Sequence, residues 1–312
     1  MEIAPCPICG STEFEIFLEV PDRFDTTGKK RWTLVRSRGS GLVMLNPRPG
    51  PSEMHFHYRS VRYDPHLTEE ETASTGERFY LALRRMLLGY RAHIVLKGSK
   101  RQDGGPSVLE VGCSTGDFLG FLHRKKGIAL DNLEGIEIDR AAAEHARKKF
   151  GLEVCSDLWE DSRQERQFDR IVLWHTLEHI HNVGETLDLL SGLIRKEGTI
   201  VLALPNHASP DAAIYRENWI AWDAPRHLCH YTPETLAALL EQHNLKIAGS
   251  MPYFPDTVFN IFHSEKLASR MEGKPVNAIR MLHAAVKSAL ALPGYFVRPS
   301  CASGIVYFVR RA

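Results

Sequence analysis

The chain has 312 residues, enough for one large domain with an appendage or for two modest domains. Its 39 basic and 38 acidic residues leave a formal charge of +1, so no global field favours nucleic acid or a membrane surface as a partner. No basic-then-apolar leader opens the chain, no apolar run is long enough to span a bilayer, and the six cysteines do not suggest a disulfide framework. We therefore expect a cytoplasmic protein.

The first part of the chain, residues 1–50, predicts a small β-rich module. Residues 14–20 and 32–36 have the composition of strands, and the proline-rich run 46–51 cannot continue a strand or a helix. A linker and a helical segment are expected over 51–104, since apolar residues recur at helical spacing in its second half.

The same module contains half of a zinc ribbon. Cys6-Pro-Ile-Cys9 has the usual spacing, but Ser37 and Ser40 stand where the second pair of cysteines is expected. A hydroxyl is not deprotonated near neutral pH and is a poor zinc ligand, and two thiolates alone rarely hold structural zinc. We expect a degenerate, metal-free ribbon held by its apolar core.

From residue 105 to 312, strands and helices alternate as in a parallel, doubly wound α/β sheet. A helical insertion is expected over about 255–295, between the last two strands. The predicted strands are 107–111, 132–138, 153–156, 168–174, 198–204, 245–251 and 304–309, and the predicted helices are 117–126, 140–150, 184–196, 232–240 and 277–292.

The first strand of this region runs into a glycine-rich turn and a helix, a common place for a nucleotide-like cofactor. Gly112 and Gly116 predict a tight turn and close approach of the backbone to a ligand, and Asp117 is expected to cap the helix. A dinucleotide fingerprint requires glycine where Ser114 stands, and a phosphate-binding loop requires a lysine after Gly116. Glu110, two residues before the first glycine, instead suits a cofactor with an ammonium and a sulfonium group.

This arrangement resembles motif I of the class I S-adenosylmethionine-dependent methyltransferases. Glu137, at the end of the second strand, stands where an acid can accept hydrogen bonds from a ribose diol. Asp157, followed by Leu158, stands where an adenine would bind. The resemblance covers about residues 107–206 and implies a seven-stranded Rossmann-like methyltransferase sheet. It implies S-adenosylmethionine as the cofactor and S-adenosylhomocysteine as the product. The expected cofactor-binding residues are Glu110, Gly112, Cys113, Ser114, Gly116, Glu137, Ile138, Asp157, Leu158, Trp174 and His175.

The segment from Phe168 to Ile180 looks like the fourth motif of the same family, a strand followed by Leu-Glu-His-Ile. Within it, His175-Thr-Leu-Glu-His179 also matches the zinc-peptidase pattern H-x-x-E-H. That pattern needs both histidines on one helix, whereas His175 follows a strand-like run. The sequence therefore predicts no metal site here.

A loop rich in aromatic residues and histidine, residues 219–232, should lie beyond the carboxyl ends of the strands, where ligands bind in open α/β sheets. We expect His227 from this loop and His179 to be the catalytic residues, since a histidine near neutral pKa can take a proton from the acceptor. A partly aromatic pocket wall is expected from Trp219, Trp222, Tyr231, Phe254 and Phe259.

The whole layout resembles a bacterial methyltransferase group with an N-terminal ribbon and a C-terminal extension. Some of its members methylate carbons of nucleotide-linked sugars, but their Tyr-x-Glu-His is Ala224-Pro-Arg-His227 here. We expect a small-molecule acceptor and leave open whether O, N or C is methylated. The alternatives are a cofactor-binding scaffold without catalysis and an NAD-dependent oxidoreductase, which the missing third glycine disfavours.

Overall fold

The computed structural model describes residues 1–25, 27, 29–58, 75–99, 103–156 and 166–312, without the side chains of residues 75–81, 292 and 296. Eleven strands occur within these ranges. They are β1 (Phe14–Pro21), β2 (Arg31–Ser37), β3 (Val43–Leu45), β4 (Val108–Val111), β5 (Leu133–Ile136), β6 (Glu153–Cys155), β7 (Phe168–Trp174), β8 (Ile194–Pro205), β9 (Cys229–His230), β10 (Leu245–Pro252) and β11 (Gly304–Arg311).

Nine α-helices lie in the same described ranges, none of them long and apolar enough to cross a membrane. They are α1 (His55–Tyr58), α2 (Thr75–Val95), α3 (Asp117–Lys126), α4 (Arg140–Phe150), α5 (Val183–Leu193), α6 (Pro210–Tyr215), α7 (Pro233–Glu241), α8 (Phe254–Met271) and α9 (Ala278–Val297).

The central sheet has seven strands in the order β10-β11-β8-β7-β4-β5-β6. The pairs from β8 to β6 are parallel, and β11 is antiparallel to both of its neighbours. Parallel strands buried on both faces require continuous apolar runs, which β4, β7 and β8 supply. The predicted α/β fold, a doubly wound seven-stranded Rossmann-like methyltransferase sheet, is confirmed.

The register of the parallel strands brings three loops to one edge. Val111 of β4 lies opposite Ile136 of β5 and Leu173 of β7. Ile136 in turn lies opposite Cys155 of β6. The chain therefore leaves the sheet at almost the same level after each of these strands, which places the residues that follow them close together.

A second, antiparallel sheet has the order β1-β2-β3-β9. Its fourth strand comes from the loop between β8 and α7, where Cys229 pairs with Met44 and His230 pairs with Val43. Strands β1 and β2 were predicted, but β3 and β9 were not, since two or three residues carry too little alternation to be recognised. The pairing joins the N-terminal module to the loop that contains His227.

Several predicted boundaries are wrong. The helix expected over 184–196 ends at Leu193, and β8 starts at once with Ile194, whose partner is Phe168. The charged residues 195–197 looked helical in sequence, yet they are exposed on an extended strand. In the expected insertion, α8 begins at Phe254 and had not been predicted as a separate helix.

Helices α3 and α4 differ in the residue that occupies the N-terminal cap position. Asp139 stands directly before the predicted helix 140–150, where an aspartate is a favoured cap, and it caps α4 by accepting a hydrogen bond from the Ala142 amide at 2.8 Å. Asp117 does not cap α3. It is the first residue of that helix, Gly116 occupies the cap position with φ 75°, and the Asp117 carboxylate instead accepts from Arg84 at 2.6 Å.

Replacing Gly116 by alanine is expected to lower the free energy of unfolding by about 3 kcal/mol, from left-handed backbone strain and overpacking together. The added Cβ would lie 2.7 Å from the Ala146 Cβ and 2.8 Å from the Leu152 Cδ1. Urea denaturation measures the change. The matched control is Gly192→Ala, whose Cβ meets no atom within 4 Å in the described structure. Equal effects of the two changes would contradict this packing role.

Candidate active site

A cavity of about 1170 Å³ opens at the carboxyl edge of the parallel strands. It is larger than the ~300–1,000 Å³ typical of a single small-ligand pocket, so it has room for a cofactor and a second molecule. The turn after β4, the loops after β5 and β7, and the loop before β9 form most of its wall. Arg23 of the N-terminal module and Met54 of the segment that follows it close another side.

The glycine turn contributes its backbone to the cavity, but its glycines act mainly in packing. A Cβ on Gly112 would lie 2.6 Å from the Thr176 Oγ1, and Gly116 faces α4 and does not line the cavity. The role of both glycines in the approach of a ligand stays a prediction. Ser114 between them lines the cavity with φ 49°, and the Gly112 and Cys113 amides of the turn donate to the Ile136 carbonyl oxygen.

Glu110 is buried at the floor of the cavity. Its Oε1 accepts a hydrogen bond from the Arg91 Nη2 at 2.5 Å, and its Oε2 has no hydrogen-bond partner among the described residues. Burial raises the pKa of Glu110 to about 7, and the Arg91 guanidinium opposes that rise. Arg91 itself lies 4.0 Å from the ring centre of Phe118 and 4.6 Å from that of Trp174.

Glu137 holds two backbone amides with its two carboxylate oxygens. Its Oε2 accepts from the Ser114 amide and its Oε1 from the Asp139 amide, both at 2.8 Å. The side chain thus connects the glycine turn to the loop after β5. The next residue, Ile138, lines the cavity although its side chain is 79% exposed.

Cys113 and Trp174 form apolar parts of the wall. A Cβ on Gly135 would lie 2.5 Å from the Cys113 sulfur, so the thiol fills the space above β5. Burial raises the pKa of the Cys113 thiol, which keeps it neutral. The Trp174 ring meets Tyr253 edge to face, with 4.9 Å between ring centres.

His175 is a charged residue at the end of β7. Its φ is 53°, its Nε2 lies 3.1 Å from the Asp256 Oδ2, and its Nδ1 lies 3.5 Å from the Glu178 Oε1. Burial lowers the pKa of His175, but Asp256 and Glu178 outweigh it and raise that pKa to about 10. Imidazolium is therefore its form near neutral pH.

The two predicted catalytic histidines meet in the same cavity. The ring centres of His179 and His227 are 4.6 Å apart, with the ring planes at 82°. The His179 Nδ1 lies 3.0 Å from the Arg226 carbonyl oxygen, and the His227 Nδ1 lies 2.8 Å from that of Ala221. Burial lowers the pKa of both histidines, so both are neutral near pH 7.

Some sequence predictions fall elsewhere. Asp157 and Leu158 lie outside the described residues. Of the five aromatic residues expected in the wall, only Phe259 lines the cavity. Trp219, Trp222 and Tyr231 are buried core residues, because loop 219–232 packs inward against the small sheet.

Three residues that touch this site were not predicted as site residues. Arg91 binds Glu110 from helix α2, and Asp256 binds His175 from α8. Glu178 is the acidic residue of the H-x-x-E-H segment described above. Its position between two histidines was the signal in the sequence that could have identified it as a site residue. That segment is not on a helix of the zinc-peptidase kind, since residues 177–179 form one 3₁₀ turn after β7.

The protein family of the chain identifies the class of enzyme to which this cavity corresponds. The model of the family described as "Methyltransferase domain" matches residues 81–249, more than half of the chain. The chain belongs to this methyltransferase family. The matched range contains Arg91, Glu110, Glu137 and both predicted catalytic histidines, so the family match and the cavity coincide.

Among solved structures, the methyltransferase resembles magnesium protoporphyrin IX methyltransferase from Synechocystis PCC 6803 with bound SAH, at 10% identity over 84% of this chain and 100% of that chain, with a TM-score of 0.49. It also resembles an O-methyltransferase of a trans-AT PKS multienzyme from Brevibacillus brevis in complex with S-adenosyl-L-homocysteine, at 18% identity, 76% and 77% coverage and a TM-score of 0.47. A third similar structure is that of a putative sarcosine dimethylglycine methyltransferase from Galdieria sulphuraria. It is 11% identical over 74% of this chain and 86% of that chain, with a TM-score of 0.47. A search of curated proteins found no match.

The enzyme is an S-adenosylmethionine-dependent methyltransferase, and its cavity fits that cofactor. The buried Oε2 of Glu110 has no partner in the described structure and can accept a hydrogen bond from an ammonium group. Glu137 lies beside the glycine turn, where a carboxylate can accept from ribose hydroxyls.

Proposed function

We propose that the enzyme transfers the methyl group to a small molecule that binds in the part of the cavity next to His179 and His227. The observation that carries this proposal is the meeting of two neutral imidazoles in the same cavity as Glu110 and Glu137. Cofactor-type residues occupy the glycine-turn side, and the histidine pair occupies the side nearer the N-terminal module.

On the cofactor side, Glu137 would accept hydrogen bonds from the ribose, and the exposed Ile138 side chain would pack on the adenine. Asp157 and Leu158, which lie outside the described residues, stay sequence-based candidates for adenine binding. Glu110 would bind the ammonium group, since Arg91 occupies only one of its oxygens. Cys113, Ser114, Trp174 and His175 would complete the contact surface. Gly112 and Gly116 shape the turn through packing.

Bound S-adenosylmethionine supplies an activated methyl group on a sulfonium, so this chain mainly has to position the acceptor. His179 and His227 each hold Nδ1 near a backbone carbonyl, which leaves the Nε2 lone pair available. One of these nitrogens would accept the acceptor's proton while the acceptor atom attacks the methyl carbon and the carbon–sulfur bond breaks. The products are the methylated acceptor and S-adenosylhomocysteine.

The N-terminal module and helix α1, which follows it, limit the size of the acceptor. Arg23, from the turn after β1, forms an ion pair with Asp223 at 2.7 Å, and Tyr58 bonds to His179 at 2.9 Å. Both residues line the cavity. This enclosure favours a small acceptor over a polymer.

An acceptor screen tests this proposal. The enzyme is incubated with S-adenosylmethionine carrying a labelled methyl group and with panels of small hydroxylated, amino and carbon-acid molecules, duplex DNA and RNA. We expect label in a small-molecule product and an equal yield of S-adenosylhomocysteine. Transfer of label to nucleic acid alone would overturn the proposal, and so would binding of the cofactor without transfer to any panel.

We further propose that residues 1–50 correspond to the N-terminal zinc ribbon of the methyltransferase group described above. In this chain the ribbon has lost two of its four zinc ligands. The four ribbon positions meet in pairs, with the Cys6 sulfur 3.1 Å from the Ser40 Oγ and the Cys9 sulfur 3.3 Å from the Ser37 Oγ. These separations resemble those between neighbouring ligands of a tetrahedral zinc ion, about 3.5 Å.

The double change Ser37→Cys and Ser40→Cys is expected to create a tetrahedral site that binds one Co²⁺ or Zn²⁺ per chain through thiolates. Thiolate-to-Co²⁺ charge-transfer absorption in the near ultraviolet measures it, because sites built from nitrogen and oxygen lack that band. The matched control is Ser11→Cys, which places one thiol in the same module outside the four positions. Absence of the band in the folded double variant would contradict the ribbon origin.

A further inference from the structure

We propose that Glu178, His179 and His227 form a binding site for one divalent transition-metal ion, with open coordination positions facing the acceptor part of the cavity. One oxygen of Glu178 and one nitrogen of each histidine lie within 4.8 Å of one another. The inference rests on the proposed function for its role in catalysis, but the metal site itself can be tested without any acceptor.

The first observation is the state of the Glu178 carboxylate. The residue is 1% exposed, and neither carboxylate oxygen accepts a hydrogen bond from any described residue. The nearest ring nitrogens are the His175 Nδ1 at 3.5 Å and the His227 Nε2 at 3.9 Å from Oε1. A buried carboxylate that accepts no hydrogen bond is destabilising even with the His175 cation beside it, and a metal ion on its oxygens would relieve that penalty.

The second observation is the orientation of the two imidazoles. A carbonyl oxygen can only accept, so the Ala221 carbonyl requires a proton on the Nδ1 of His227. The Nδ1 of His179 lies 3.0 Å from the Arg226 carbonyl oxygen and 2.9 Å from the Tyr58 hydroxyl, and both oxygens can accept from one N–H. This tautomer leaves a lone pair on each Nε2. Metal-binding histidines commonly donate their other ring N–H to a backbone carbonyl in this way, which fixes the ring and its basic nitrogen.

Two neutral imidazoles and one carboxylate are a common set of protein ligands for Fe²⁺, Mn²⁺, Co²⁺ and Zn²⁺. These three ligands occupy one face of the coordination sphere and leave the other positions open. Ligand atoms around such an ion are about 3 to 3.5 Å apart, so binding requires these side chains to move inward by about 1 Å. His175 is not counted among the ligands, because Asp256 holds its Nε2 at 3.1 Å.

A cation here would act on the acceptor, whose oxygen would occupy an open position. Binding to the cation lowers the pKa of a hydroxyl, so its proton passes to water. The resulting oxyanion attacks the methyl carbon, the carbon–sulfur bond breaks, and S-adenosylhomocysteine leaves. In this state His179 and His227 serve as ligands, and an oxygen acceptor with a neighbouring oxygen that can also bind the metal is favoured.

Titration of the metal-free protein with CoCl₂ tests the site, followed by visible d–d absorption and calorimetry, with MnCl₂, ZnCl₂ and MgCl₂ in parallel. We expect one Co²⁺ per chain, no thiolate charge-transfer band, and weaker binding of Mg²⁺. Glu178→Gln, His179→Ala and His227→Ala should each weaken Co²⁺ binding at least about 100-fold.

The matched control is His123→Ala, which removes a histidine whose Nδ1 also lies near a backbone carbonyl, that of Ile128, at 2.9 Å. It should bind Co²⁺ like the parent protein. S-adenosylhomocysteine binding is measured for every variant to verify the fold. Failure of the parent protein to bind Co²⁺, or equal Co²⁺ binding by Glu178→Gln, overturns the metal site and leaves the proposed function standing. Methyl transfer by the metal-free protein that stops when Co²⁺ binds would contradict the metal's role in catalysis, whereas absence of transfer both with and without Co²⁺ would count against the proposed function.

Discussion

Replacing Glu137 by alanine is expected to weaken S-adenosylhomocysteine binding by about 100-fold, which corresponds to about 3 kcal/mol for two hydrogen bonds from hydroxyls to a carboxylate. The change removes the proposed ribose acceptor. It also releases the Ser114 and Asp139 amides, which the carboxylate holds at 2.8 Å, so the glycine turn loses its connection to the loop after β5. Calorimetric titration at constant pH and salt measures the affinity.

Two further variants make the Glu137 prediction specific. Glu137→Gln keeps a side-chain carbonyl but loses the charge, so we expect it to fall between the parent protein and the alanine variant. Glu144→Ala removes an exposed carboxylate of α4 whose partner is Lys148 at 2.6 Å, and it should leave the affinity unchanged. Unchanged affinity in Glu137→Ala would count against the ribose role.

Replacing His227 by asparagine is expected to lower kcat by about 10² to 10⁴, the usual contribution of a positioned acid–base group. Asparagine can still donate to the Ala221 carbonyl, which accepts from Nδ1 at 2.8 Å in the parent protein, but it lacks the Nε2 lone pair. Cofactor affinity should be unchanged, because the cofactor residues lie on the other side of the cavity. Single-turnover kinetics with an acceptor from the screen measures the loss.

His179→Ala should give a loss of similar size, and the double variant should lose little more than the worse single variant, since residues that act as a unit are not additive. His123→Ala is the matched control and should turn over like the parent protein. If turnover survived in the double variant with His179 and His227 both replaced, neither residue would have the proposed role.

Site residues could be predicted from the sequence where they lie at the carboxyl end of a recognisable buried strand. Glu110 and Glu137 each lie on or just after a buried strand, and a parallel sheet brings all such strand ends to one edge. The same reasoning placed His179 after β7 and His227 after β8, and both histidines line the cavity. Local patterns also predicted the caps of α4 and α7, because a cap involves residues only a few positions apart.

Residues that act across long separations could not be predicted in this way. Arg91 pairs with Glu110 across 19 positions, and Asp256 pairs with His175 across 81. No periodicity relates such positions, because their contact depends on how α2 and α8 pack over the sheet edge.

The packing role of Gly116 could not be predicted for a related reason. Its glycine identity was clear in the sequence, but the direction in which a Cβ would point depends on where Ala146 of α4 lies. The pairing of β3 with β9 joins residues 43–44 to residues 229–230. It therefore became visible only in the folded chain.

We propose that this cavity holds S-adenosylmethionine between Glu110 and Glu137 for transfer of its methyl group. Calorimetric titration of the full chain with S-adenosylhomocysteine and, separately, with NAD⁺ tests it most directly. We predict saturable binding of one S-adenosylhomocysteine per chain and none of NAD⁺, with the affinity reduced in Glu137→Ala. Binding of NAD⁺ in preference to S-adenosylhomocysteine, or no binding of either, would contradict the account.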